Sequence, residues 1–146
     1  MKPHILLRTA SILTLIQALL HHLGLTRPPS HGRDEAALQT AMKSFHMDVM
    51  GSLRSYWDFF WGFGLCATVG MLLQSVLLWQ LADLARSDPA KARPFMGTLF
   101  AAYVTYAIVS WSYFFIGPVV GNVISALLIG LAYVFTTSRL TNGEAV

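Results

Sequence analysis

FFWGFGLCATVGMLLQSVLLWQLA, residues 59–82, is a run of 24 uncharged residues held between Asp58 and Asp83. About 20 apolar residues in an α-helix cross the hydrocarbon core of a bilayer, so this run predicts one crossing. A second run of 45 uncharged residues, between Arg93 and Arg139, predicts two more. Over all 146 residues, 55% are hydrophobic, 12% are charged and the mean hydropathy is +0.55. A soluble domain carries roughly twice that charged fraction. The chain therefore reads as an all-α integral membrane protein.

Upstream of the run, Arg54, Tyr56, Trp57, Asp58 and Trp61 mix charge with large amphipathic rings. A chain carries such residues where it passes from water into lipid. Trp61 and Trp79 mark the two ends of the span as an aromatic belt does. Within it Gly62, Cys66 and Gly70 recur every four residues, and Gln74 continues the row. A ridge of small residues lets a second helix approach closely.

The N-terminal segment has a basic start, Lys2 and Arg8, and then an apolar run. A cleaved signal peptide would need small residues where Gln17, His21 and His22 stand, so 5–23 reads as the first span. Ser11, Thr14, Gln17, His21 and His22 share one arc of this helix and should face protein rather than lipid. After it, the cluster Arg27-Pro28-Pro29-Ser30-His31-Gly32 must be loop. Asp34 then caps an expected amphipathic helix with apolar positions Leu38, Met42, Phe45, Val49, Leu53 and Tyr56. Segment 26–55 thus predicts a periplasmic loop and a surface helix between spans one and two. Arg54 and Asp58, four apart, are expected to form an ion pair where that helix turns into the bilayer.

Pro89 and Pro94 predict a break between the second and third spans. The long uncharged block divides at Gly117-Pro118, giving spans at 95–116 and 119–138 that must be antiparallel neighbours. Gly97, Ala101 and Thr105 form a small ridge on the third span, and Gly117, Gly121 and Ser125 form one on the fourth. The expected architecture is an antiparallel four-helix bundle in a single domain, 1–146. Lys2, Arg8, Arg86, Lys91, Arg93 and Arg139 all fall on one side of it, which the positive-inside rule makes cytoplasmic together with both termini.

Three groups could carry chemistry. His21, His22 and His46, with Met47 and Met50, offer imidazole and thioether ligands suited to copper or haem iron. The competing reading is interfacial or hydrogen-bonded histidines and packing methionines, and the sequence holds no HxxxH pair. Tyr103, Tyr106, Ser110 and Tyr113 share a face of span three. With Gln17 and His21 they could line a pocket for a lipid or quinone headgroup, or simply knit helices together. Asp58 is a carboxylate at a span boundary, and a structural pair with Arg54 competes with a proton-relay role. Asn122, Gln74 and Gln80 fit interhelical hydrogen bonds.

Several classes are excluded. There is no glycine-rich phosphate loop, nucleophile elbow or metalloprotease helix. The single cysteine, Cys66, forms no intramolecular disulfide and no zinc motif. The net charge of +3 with no dense basic arm gives nucleic acid no footprint.

The run DVMGSLRSYWDFFWGFGL, residues 48–65, resembles the signature of a family of short bacterial four-span inner-membrane proteins without an assigned activity. The resemblance extends over most of the chain, to its length, its four spans and a histidine near the end of the first, here His22. It implies a bacterial inner membrane, and it supplies no catalytic residue. The leading expectation is a non-enzymatic accessory or structural subunit of a membrane complex or homo-oligomer. The alternative is a lipid-, quinone- or haem-binding membrane enzyme or redox protein, its site formed by His21, His22, His46, Tyr106, Tyr113 and Gln17.

Overall fold

The computed structural model describes residues 2–29 and 32–141, apart from the side chain of Arg139. Ser30 and His31 of the breaker cluster, and the last five residues, lie outside the described residues. The described chain forms five α-helices and one hairpin: α1 (Pro3–Thr26), α2 (Gly32–Ser44), β1 (His46–Val49), β2 (Ser52–Ser55), α3 (Tyr56–Ser87), α4 (Pro89–Tyr113) and α5 (Ile116–Thr141). Four of them, α1, α3, α4 and Ile116–Ser138 of α5, are long and apolar enough to cross a membrane. The shortest stretch, 23 residues, is about 34 Å long at 1.5 Å per residue, against roughly 30 Å of hydrocarbon.

Three boundaries differ from the sequence reading, each for a local reason. The amphipathic helix ends at Ser44, and the chain then doubles back as an antiparallel hairpin pairing His46 with Ser55 and Val49 with Ser52. Met50 and Gly51 both take positive φ, 54° and 81°, as a two-residue type I′ turn requires. The Asp48 carboxylate fastens the turn by accepting from the Gly51 N–H at 2.8 Å. Val49 and Leu53 therefore belong to strands, although their spacing is helical.

Pro89 does not lengthen the break between α3 and α4; it starts α4, and Asp88 alone separates the two helices. Proline's fixed φ suits the first helical position, where no N–H is needed. Asp88 caps the helix, accepting from the Lys91 N–H at 3.1 Å. Pro94 sits inside α4. The long uncharged block divides at Phe114-Phe115 rather than at Gly117-Pro118. Proline's ring collides with the carbonyl four residues before it. Pro118 thus ends the preceding helix at Phe114, which is extended, and is itself accommodated in the first turn of α5.

Two compact units contain these elements. The first comprises residues 1–17 and 71–146. In it α4 and α5 run antiparallel: Asn122 donates to Ser110 at 3.0 Å near one end, and Arg93 to the Tyr133 hydroxyl at 3.2 Å near the other. Leu7, Ala10, Leu78, Ala82, Met96 and Ile129 belong to one buried core. The second unit, residues 18–70, holds the end of α1, α2, the hairpin and the start of α3.

Candidate functional site

Most of the polar arc of α1, from Ser11 to His21, is spent on helix contacts. In the first unit Ser11 and Ser75 are buried, and each hydroxyl donates to the other's carbonyl, at 2.7 and 3.0 Å. Thr14 gives its one proton to the Ala10 carbonyl, so in its 2.7 Å contact with Tyr103 the phenol is the donor. Tyr103 is buried, and Tyr106 meets its ring edge-on at 6.1 Å. Gln17 lies against Gly121, where a Cβ would overlap its amide. Gly97 and Gly130 face Tyr133 and Phe100 of the opposite helix.

The tyrosine face is therefore not one pocket wall. Tyr103 is sealed inside, whereas Tyr106 is 45% and Tyr113 80% exposed. Ser110 is buried and receives the Asn122 amide. Ala101 is exposed, and the nearest side chain to Gly117 is that of its near neighbour Phe115. Ser125 is buried, and its hydroxyl has no hydrogen-bond partner among the described residues.

In the second unit His21 Nδ1 lies 3.0 Å from the Thr68 hydroxyl, whose proton goes to the Gly64 carbonyl. The imidazole is therefore the donor, which places its proton on Nδ1 and leaves the lone pair on Nε2. His22 is exposed, and His46 Nδ1 sits 2.9 Å from the Ser44 carbonyl, a local contact. No three His, Cys, Asp or Glu side chains among the described residues are grouped to hold a metal ion.

The ion pair expected of Arg54 and Asp58 is replaced. Asp58 Oδ2 accepts from the Ser55 N–H at 2.8 Å and the Ser55 hydroxyl at 2.9 Å, while the Asp58 N–H lies 3.2 Å from that hydroxyl. This is a reciprocal cap at the first turn of α3. The Arg54 guanidinium donates instead to the Leu53 carbonyl at 3.2 Å. The Ser55 cap thus holds Asp58 in place, with no salt bridge to it among the described residues.

Around this cap lies the densest aromatic group of the unit. Trp57 stacks on Trp61 at 6.1 Å and meets Phe60 at 5.4 Å; Phe45 stacks on Tyr56 at 5.5 Å. The Lys43 ammonium stands 4.5 Å above the Trp57 ring. Trp57, Asp58, Trp61 and Gly62 line an open hollow of about 290 Å³. The sequence marked these rings as a boundary belt; the four residues that line the hollow all stand on the first turns of α3, at spacings of one, three and one. On α3, an added Cβ at Gly62 or Gly70 would meet nothing within 4 Å among the described residues, and Cys66 between them is exposed.

No family model matches the chain, and no match was found among curated proteins or solved structures.

Proposed function

We propose that this is a bacterial inner-membrane protein of four spans, with both termini cytoplasmic, that acts as a non-enzymatic subunit of a homo-oligomer or larger membrane complex. In this reading the long helices form an antiparallel bundle, and α2 lies on the periplasmic membrane surface. The observation that carries it is the open ridge Gly62–Cys66–Gly70. Other small positions, Gly97, Gly121 and Gly130, meet a side chain of their own chain, while a Cβ added at Gly62 or Gly70 would meet nothing within 4 Å among the described residues. Close helix approach on small residues is a main source of association in lipid, where the hydrophobic effect drives none. The buried polar side chains also serve the fold: Ser11, Thr14 and Tyr103 satisfy one another or the backbone.

Cys66 provides a direct test, being the sole cysteine and standing on the ridge. In native membranes, mild oxidation or a short bis-maleimide should give a covalent dimer for a homo-oligomer, or a heavier adduct for a mixed complex. Gly70→Leu should abolish either product while leaving the helix content unchanged. A single-protomer mass in mild detergent, with neither adduct nor co-purifying protein, would overturn the proposal.

A further inference from the structure

We infer that the hollow lined by Trp57, Asp58, Trp61 and Gly62 binds an organic ammonium group. Two stacked indoles and one carboxylate on a single small hollow are the chemistry that recognises such a cation: indole faces attract it through their quadrupole, and the carboxylate supplies charge. Two observations indicate that the hollow is built for a cation. The first is Lys43, whose ammonium already occupies one face of Trp57 at 4.5 Å, so that ring serves as a cation platform within the chain itself. The second is the way Asp58 is held. Its Oδ2 is taken by Ser55, and Oδ1 makes no hydrogen bond among the described residues, on a residue lining the hollow. A carboxylate fixed by one oxygen presents the other in a set direction, which lowers the ordering cost of binding.

The opposing effect is the basic neighbourhood. Arg54 lies near enough to act on the Asp58 charge, and Lys43 competes for Trp57. A bare metal cation would gain little from the indoles relative to its hydration. An alkylated or primary ammonium, weakly hydrated and broad, gains from the Trp61 ring and the carboxylate, and from Trp57 where it displaces Lys43. Such a group occurs in the choline or ethanolamine headgroup of a phospholipid and in small soluble amines.

The test uses the full chain purified in a maltoside detergent, which carries no ammonium. Tryptophan fluorescence is followed during titration with tetramethylammonium chloride against sodium chloride at equal ionic strength. A parallel titration uses dihexanoyl-phosphatidylcholine against dihexanoyl-phosphatidylglycerol, both below micelle formation. A saturable response to tetramethylammonium indicates a soluble amine as ligand; a response to the choline lipid alone indicates a headgroup. In either case Asp58→Asn, whose amide oxygen can still accept from Ser55, and Trp61→Leu should each weaken binding about fivefold. Lys43→Met should tighten it by freeing the Trp57 face, a gain that misfolding cannot imitate. Equal responses to choline and glycerol lipids, no saturable response to either ammonium probe, or binding indifferent to all three substitutions would overturn the inference. Gly62 belongs to both the hollow and the ridge, but these readouts measure ammonium binding and not association, so this inference and the subunit proposal each keep their own test.

Discussion

Thr14 and Tyr103 show how a polar residue is tolerated in an apolar helix. The threonine proton returns to its own backbone and the phenol completes the pair. Tyr103→Phe should lower stability by about 1 kcal/mol, read from denaturant unfolding in detergent, because one buried hydrogen bond is lost and little volume changes. Ser125 is the opposite case, a buried hydroxyl without a partner among the described residues. Ser125→Ala should raise stability by about 1 kcal/mol in the same assay, since an unsatisfied hydroxyl costs about that much to bury. Both roles were only half legible in the sequence. Ser11, Thr14 and Gln17 announced an inward arc by their spacing. Which hydroxyl found a partner depended on where the other helices lay.

At the scale of the element, the helices were legible because freedom from charge over 20 or more residues is a coarse signal. Their ends were not, because ends are decided by single residues. Pro118 stops the helix four residues before itself, and Pro89 starts one where a break was expected. The hairpin was hidden for another reason: Phe45, Val49, Leu53 and Tyr56 keep helical spacing through it. What decides it is local, the Asp48 carboxylate closing on Gly51 and two successive positive φ angles. Methionine is ill suited to that geometry, so Met50→Asn should stabilise the hairpin by up to about 1 kcal/mol, measured as slower amide exchange across 46–55.

The cap at Asp88 carries a pH dependence. The Lys91 ammonium and then its backbone N–H hold the Asp88 carboxyl below its ordinary range. A lowered carboxyl contributes stability above its unfolded-state value and loses it as pH falls through the lowered one. Asp88→Asn should remove the acid-side loss in melting temperature while keeping the cap, and Asp88→Ala should lower the melting temperature at neutral pH as well.

For the whole molecule the deciding quantity is uncovered apolar surface. Between 17% and 39% of the most apolar window of each long helix is buried within the chain. Leu20, Leu23, Phe63, Leu73, Ile108 and Leu127 are all more than half exposed. A water-soluble protein rarely leaves apolar patches of that extent uncovered; lipid and partner helices would cover them. The candidate site was only partly legible: its rings and carboxylate stand one helical turn apart on α3, whereas the Ser55 cap that holds Asp58 comes from a hairpin that periodicity concealed. The central claim, that the four long helices lie in lipid, is tested most directly by extracting isolated membranes with alkaline carbonate and sedimenting them. The chain should remain in the membrane pellet and be released only by detergent; recovery in the carbonate supernatant, or in the soluble fraction of lysed cells, would contradict it.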